Sequence, residues 1–428
     1  MKSIRAFPDL PEHRAHMTTV RLHTSLDPDL LSEIVREQGT PTYVYDARIL
    51  DAGVRRWISA VGDPTRICYA VKANYNLGVL ARLASHGIGF EASTVGEMAR
   101  ALAAGILPAR IVLGGVPKSP EAVGEGIHRG LDLVVLQAAH EVEAAIRAGA
   151  GLEGPPARVG LRVRPGIRAG AHPSLETGRA DAKFGFAPEA IGEAWEALAG
   201  APGVEPTTLA FHLGSGLDSL EPYRGAIDVL LRLVRDLAAT GAPVRELDLG
   251  GGLGVAYDGT TADVEPADLV RIVRERLDGT GLEVRYEPGR SIAARAGILV
   301  TRVLYRRERD GHPALVCDGG FTDFGRYSLY GAQHRIQPLE GALEGPDTVE
   351  VLGPTCESGD KLGTGRPLHG VRPGDLLAVR DVGAYGFVMA SNYNARPRPA
   401  EVLVDDGGWR VVRTRESLED LWRGETVE

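Results

Sequence analysis

From residue 65 onward, short apolar and β-branched runs recur, each followed by a stretch whose apolar residues return every three or four positions. The runs Ile67–Val71, Ile88–Ala92, Ile111–Leu113, Leu131–Leu136, Arg158–Val163, Thr208–His212, Glu246–Leu249 and Glu283–Tyr286 read as strands. Between them, Leu77–Ser85, Val95–Ala104, Pro120–Arg129, Glu141–Ala150, Glu189–Leu198, Leu220–Ala239 and Ala267–Leu277 read as helices. In Leu220–Ala239, Ile227, Leu230, Leu231, Val234 and Leu237 repeat at helical intervals, which predicts one buried face. Strands alternating with helices imply right-handed βαβ units and a parallel sheet. Eight of them match a closed (β/α)8 TIM-type barrel, an α/β fold that takes about 250 residues. A doubly wound open sheet is the alternative, but its glycine fingerprint is missing after the first strand.

After residue 295 the rhythm changes. Gly297–Tyr305, Ala314–Asp318, Thr348–Leu352, Asp375–Asp381 and Glu401–Val404 are strand-like, with Gly, Pro and Asp turns between them. Asp405-Asp406-Gly407-Gly408 reads as a hairpin turn into Trp409–Thr414. The expected organisation is a tail and lead-in helix over 1–40, a barrel over 41–295 and a C-terminal all-β domain over 296–428. The strand-like run Pro41–Asp46 precedes the first barrel unit and either opens the barrel or joins the β domain.

The chain has 428 residues and a formal net charge of −9. At roughly 100–200 residues per domain, that length allows two or three domains. The acidic balance argues against generalised binding to nucleic acid or an anionic membrane. Three cysteines, Cys68, Cys317 and Cys356, do not make a disulfide framework, and no metal-ligand spacing occurs. The first 24 residues lack the apolar core of a signal peptide, and no run approaches the ~20 apolar residues of a membrane span. The cytoplasm is the expected location.

Barrel enzymes carry their chemistry at the C-terminal ends of strands. The first strand ends Ala70-Val71-Lys72-Ala73-Asn74; a lysine there can lose its proton and condense with an aldehyde, or merely snorkel at a strand edge. The sixth ends Phe211-His212-Leu213-Gly214-Ser215-Gly216, where the histidine is either structural or stacked on a planar ring. The seventh ends Gly250-Gly251-Gly252-Leu253-Gly254, whose exposed amides suit a phosphate or form a bare turn. The eighth ends Glu287-Pro288-Gly289-Arg290, an acceptor and a cation that either act together or form a surface ion pair. One ligand satisfies all four ends: pyridoxal 5′-phosphate, with Lys72 on the aldehyde, the glycine turn on the phosphate, His212 on the ring face and Glu287 on the ring nitrogen.

With these motifs in order, and with Cys356-Glu357-Ser358-Gly359-Asp360, Gly383-Ala384-Tyr385-Gly386 and Ser391-Asn392-Tyr393-Asn394-Ala395-Arg396-Pro397 following them, the chain resembles the diaminopimelate decarboxylase group. These are fold-type III pyridoxal-phosphate enzymes related to ornithine decarboxylase and alanine racemase. The resemblance implies that Lys72 is the Schiff-base lysine and that His212 stacks on the ring. It places Gly250, Gly251, Gly252, Gly254, Gly289 and Tyr385 around the phosphate, with Ser215 and Arg290 beside them. Glu287 keeps the pyridine nitrogen protonated. Arg290, Arg326 and Tyr330, with Tyr385, bind the far carboxylate of the substrate, and Glu357 binds its far amino group. Cys356 is the implied proton donor, and in this group Cys356 and Glu357 come from the partner subunit of a homodimer. The expected reaction is decarboxylation of meso-2,6-diaminopimelate to L-lysine, a step of lysine biosynthesis.

The chain also departs from the group. Tyr327-Ser328 stand where Pro-Ala is usual, Glu91 replaces an aspartate, and Leu133–Gln137 differs from the usual Phe-Asn-Val-Glu-Ser. A decarboxylase of another or a conjugated amino acid is therefore the alternative, and a non-catalytic cofactor carrier is a further one. Cys68 and Cys317 read as core residues, and His128, His140, His369 and the basic stretch Arg302–Arg309 as solvated.

Overall fold

The computed structural model describes residues 26–169, 176–238, 241–257, 262–309, 311–340, 348–368 and 370–427. The tail over 1–25 and His369 lie outside the described residues. The first strand, β1 (Thr42–Asp46), is buried along its whole length. Asp46 then caps the helix Ala47–Val61 by accepting the Arg48 amide.

Eight parallel strands follow: β2 (Cys68–Ala70), β3 (Gly89–Ala92), β4 (Ile111–Leu113), β5 (Leu133–Leu136), β6 (Ala157–Arg162), β7 (Val204–Ala210), β8 (Glu246–Asp248) and β9 (Glu283–Arg285). They pair in sequence order, and the ring closes where Cys68 and Ala70 donate to the carbonyls of Tyr286 and Pro288 at 2.8 and 3.0 Å. Side-chain caps start the intervening helices: Asn76 on Leu77–Ala84, Thr94 on Val95–Ala103 and Ser119 on Pro120–His128. The fold class expected from the sequence is the one observed. The helix Glu221–Leu237 buries Ile227, Leu230 and Leu237 as expected, but Leu233 replaces Leu231 and Val234 on the fully buried stripe. The sixth strand starts four residues before its expected Thr208, because Pro206 is absorbed at a register shift against β6 rather than ending the pairing.

The N-terminal end of the barrel is plugged by charge. Glu246 is fully buried and accepts from Arg158 at 2.8 Å, Arg66 at 3.1 Å, Thr208 at 3.1 Å and Arg285. With that end filled, the open mouth lies at the opposite, C-terminal ends of the strands.

The chain continues into β10 (Gly297–Arg309), β11 (His312–Cys317), β12 (Ile336–Pro338), β13 (Val349–Leu352), β14 (Lys361–Arg366), β15 (Leu376–Val379), β16 (Ala400–Asp405) and β17 (Gly408–Arg413). Their order is β14-β13-β11-β10-β1-β16-β17, with β15 against β10 and β12 against β15. The early strand β1 thus sits in the second sheet, antiparallel to β10 and parallel to β16. The helix Pro28–Gln38 packs Leu31, Ile34 and Val35 onto the same face, against Val44, Ile298, Val300 and Val402. Residues before the barrel therefore help to build the β domain.

The two sheets are joined beside the barrel mouth. Tyr385 donates its amide to the Ala73 carbonyl at 2.8 Å, and Asn74 donates its side-chain amide to Gly383 at 3.1 Å. Glu401, buried on β16, accepts from Tyr45 at 2.7 Å, Asn76 at 2.9 Å and Arg413. Among the described residues no helix is long and apolar enough to cross a membrane.

Candidate active site

A cavity of about 230 Å³ opens at the C-terminal ends of the barrel strands. Lys72, Glu91, Ser93, Arg162, His212 and Glu287 are among its lining. Lys72 follows β2 in a single tight turn, and its ammonium donates to Glu91 Oε2 at 2.7 Å and Ser93 Oγ at 3.2 Å. Burial works against that ammonium, but the charges of Glu91 and Glu287, and the bond to Glu91, hold its pKa above the usual lysine value. In the free chain Lys72 is a protonated amine.

His212 is the opposite case. Burial first, then the neighbouring charges of Lys72 and Arg162, push its pKa well below the ordinary histidine value, so the ring is neutral. Its Nδ1 accepts the Gly251 amide at 3.3 Å, which leaves the ring proton on Nε2. Gly250 has a φ of +61°, and a Cβ there would meet His212 Nδ1 at 2.7 Å, so only glycine lets the turn pass so close to the ring. The amides of Gly252 and Leu253 have no hydrogen-bond partner among the described residues.

Glu287 and Asp248 are buried together across the cavity floor. Burial raises both above the usual carboxylate range; the charges of Asp248 and Glu91 push Glu287 further up, whereas Arg285, the Gly250 amide and the hydrogen bond with Glu287 pull Asp248 back. Asp248 is fixed by accepting the Gly250 amide at 2.9 Å. Gly289 sits against Ala70 and Ala73, where a Cβ would lie 3.1 and 2.9 Å from theirs, beside the base of Lys72.

A second cluster lies next to this cavity. Arg290 and Arg326 are both buried, and each donates Nη1 to the hydroxyl of Tyr257, at 2.6 and 2.8 Å. Arg290 also donates to Ser215 Oγ at 2.8 Å and stacks on the Tyr385 ring, 4.6 Å from its centroid. Tyr330 is close enough to Arg290 to act on its charge, and Tyr385 acts on both Arg290 and Lys72, which ties the clusters together. Tyr385 adopts a φ of +56°, a strained conformation for a tyrosine, held by its amide bond to Ala73.

Cys356 and Glu357 are not brought to this cavity. Cys356 is exposed on the loop before β14, with its amide donating to Asn394 at 3.4 Å, and Glu357 accepts from Tyr393 at 2.6 Å on the same surface. Cys68 and Cys317 are buried. Tyr327 and Ser328 line neither cluster: Tyr327 bonds Thr364 at 2.9 Å and Ser328 donates to the Gly359 carbonyl at 2.7 Å.

Several residues at the site escaped sequence reasoning. Glu91, named from the sequence only as a departure from the group, and Arg162 and Asp248, not singled out at all, each lie at or next to the end of a barrel strand, so the rule that singled out Lys72 was sufficient to find them. Arg162 stacks on Phe184, and its bonds to Gln137 and the His212 carbonyl are both long, at 3.4 Å. Lys118, buried against Glu141 at 2.9 Å and the Gly115 carbonyl at 2.7 Å, braces the loop that lines the cavity. Tyr257 and His334 carry no local signal at all.

Comparison with known proteins agrees with this arrangement. The family model "Pyridoxal-dependent decarboxylase, pyridoxal binding domain" matches residues 48–294. The diaminopimelate decarboxylase of Pseudomonas aeruginosa is 42% identical over 401 residues, covering 93% of this chain and 95% of its own. That of Vibrio cholerae is 39% identical over 399 residues, with 93% and 95% covered. The crystal structure of Helicobacter pylori diaminopimelate decarboxylase complexed with L-lysine aligns with a TM-score of 0.87 at 36% identity, over 92% of this chain and 98% of that one.

Proposed function

The chain belongs to the diaminopimelate decarboxylase family of pyridoxal-dependent decarboxylases, and we propose that it converts meso-2,6-diaminopimelate to L-lysine and carbon dioxide in lysine biosynthesis. The observation that carries the substrate is the pair Arg290 and Arg326. Both guanidiniums are buried, and among the described residues no carboxylate lies within ion-pair distance of either. A buried cation without a counter-ion is costly, so this end of the site is built for an anion that the substrate or cofactor brings.

The residues present fit pyridoxal 5′-phosphate, as the donor set indicates. The amine of Lys72 suits its aldehyde, the free amides of Gly252 and Leu253 with Ser215 and Arg290 suit its phosphate, and the weakly bonded Arg162 suits an anionic ring oxygen. When bound, the cofactor supplies an electron sink that stabilises the carbanion left by loss of carbon dioxide. Glu287, whose raised pKa makes it a better proton acceptor than an ordinary carboxylate, would hold a proton between itself and a ring nitrogen, and neutral His212 offers an uncharged face to the ring. Glu91 and Ser93 hold the Lys72 amine at the cavity wall. Arg290, Arg326 and Tyr330 take the carboxylate that is not lost. The carbon–carbon bond to the D-configured carboxylate breaks, and a thiol proton replaces the carbon dioxide at that carbon.

Cys356 is the proposed thiol, and its exposure beside Glu357 supports delivery into the site of a second copy rather than its own. The reading is thus a homodimer with two shared sites, Glu357 receiving the far amino group. Three free thiols suit a reducing compartment, and the cytoplasm is the proposed location. The test is carbon dioxide release by the cofactor-loaded protein from meso-diaminopimelate, L-lysine, D-lysine, L-ornithine, L-arginine and L-glutamate. Turnover of meso-diaminopimelate alone is expected. Release from another amino acid, with none from meso-diaminopimelate, overturns the reading.

A further inference from the structure

Two guanidiniums of like charge, Arg290 and Arg326, share a single acceptor, the phenolic oxygen of Tyr257. We propose that Tyr257 is a positioning residue for recognition of the carboxylate that the substrate keeps: its hydroxyl holds both arginines together as one anion-facing pair. The inference rests on the decarboxylation of meso-diaminopimelate proposed above and adds a residue to that site.

Arg326 has two acceptors, and neither is a carboxylate. His334 Nδ1 donates to the Arg380 carbonyl at 2.8 Å, so its Nε2 bears the lone pair that faces Arg326 Nη1 at 3.2 Å. Burial, reinforced by the charge of Arg326, keeps that imidazole unprotonated. The Tyr257 ring packs on His334 with centroids 4.0 Å apart, and the Arg326 guanidinium lies over the Tyr257 ring at 4.9 Å from its centroid. Tyr257 is therefore fixed by its ring and spends its oxygen entirely on the two arginines. Without that oxygen, the repulsion between the guanidiniums is opposed only by Ser215 on one side and His334 on the other. The pair would splay, and a carboxylate could no longer be gripped by both.

The test follows from the reaction. The carboxylate that is kept becomes the carboxylate of L-lysine, whereas cadaverine is the same molecule without it. Cofactor-loaded wild type and Tyr257→Phe are titrated with each ligand, and binding is read from the cofactor's visible absorbance, independently of turnover. The ring and its stacking contacts remain in Tyr257→Phe, and only the hydroxyl is lost. The dissociation constant for L-lysine is expected to rise about 10- to 100-fold, the loss of one or two hydrogen bonds to charged groups, while cadaverine changes by no more than about twofold. The double variant Tyr257→Phe/Arg326→Gln is expected to bind L-lysine no worse than Arg326→Gln alone, because Tyr257 acts through that arginine. Equal losses for both ligands, no loss for either, or additive losses in the double variant overturn the inference. A wild type that releases no carbon dioxide from meso-diaminopimelate and ignores L-lysine overturns the functional reading itself, and the inference with it.

Discussion

Replacing Glu91 with glutamine should change how readily Lys72 captures its cofactor. The amine must lose its proton to attack an aldehyde, and Glu91, 2.7 Å away, opposes that loss. A full charge pair at that distance is worth about 6 kcal/mol at an effective dielectric of ~20. The Lys72 side chain is a third exposed, so solvent screening must be discounted, leaving roughly 1.5–3 kcal/mol. That corresponds to about one to two pK units. Glu287 contributes less than Glu91, which is both the larger charge effect and the hydrogen-bond partner. The sign is clear: Glu91 raises the folded-state pKa, so Glu91→Gln lowers it, and the neutral fraction near pH 7 rises about 10- to 100-fold. The assay adds pyridoxal 5′-phosphate to cofactor-free protein from pH 6 to 10 and follows the growth of visible absorbance. The variant should capture faster at neutral pH, with its profile displaced to lower pH. A profile that stays in place, or moves upward, would falsify the claim that Glu91 sets the charge on Lys72.

Three further outcomes test other parts of the site. Lys72→Ala and Cys356→Ala should each be nearly inactive alone, yet a mixture refolded or exchanged together should recover about a quarter of wild-type activity through mixed dimers with one intact site; no recovery places Cys356 in its own subunit's site. Gly289→Ala puts a methyl 2.9 Å from Ala73 Cβ, an overpacking of about 1–3 kcal/mol at the base of Lys72, so kcat/KM should fall at least about tenfold; an unchanged kcat/KM means the strand end yields freely. Glu401→Ala strips the shared acceptor from Tyr45, Asn76 and Arg413, and thermal unfolding should show a loss of about 2–4 kcal/mol; an unaltered midpoint removes Glu401 from the joint between the sheets.

The barrel was legible because its signal is local: each strand is a short apolar run and each helix repeats its buried face within one segment. The chemistry was legible for a related reason, since strand ends are sequence positions and a barrel gathers them at one mouth. The boundaries were less legible where a residue type contradicts its setting. Pro206 reads as a breaker, yet it sits within β7 at a register shift. β14 carries Gly363 and Gly365 and looks like a turn, while three-residue β12 is too short to show alternation. The partnership of Tyr257 with His334, Arg290 and Arg326 was out of reach. It joins the loop after β8 to the β domain, and no spacing rule links residues that only the closed fold brings together.

The division of charge between the two clusters explains why one site handles two different tasks. Around Lys72 the reacting amine has its answer within the chain: Glu91 faces the ammonium, and Asp248 and Glu287 are coupled in their titration, while Arg162 keeps only two long bonds to neutral acceptors. There, small proton movements suffice to alter the amine. Around Tyr257 the balance is left open, because two buried guanidiniums meet a tyrosine oxygen, a serine hydroxyl and a neutral imidazole, and no carboxylate among the described residues. Such an end discriminates by what it lacks. A ligand without an anion leaves Arg326 buried without a counter-ion and Arg290 with none beyond the phosphate, a cost that contacts with its hydrocarbon chain do not recover. Selectivity for a substrate that keeps a carboxylate therefore resides in the second cluster, and it is there that a change of substrate would have to be made.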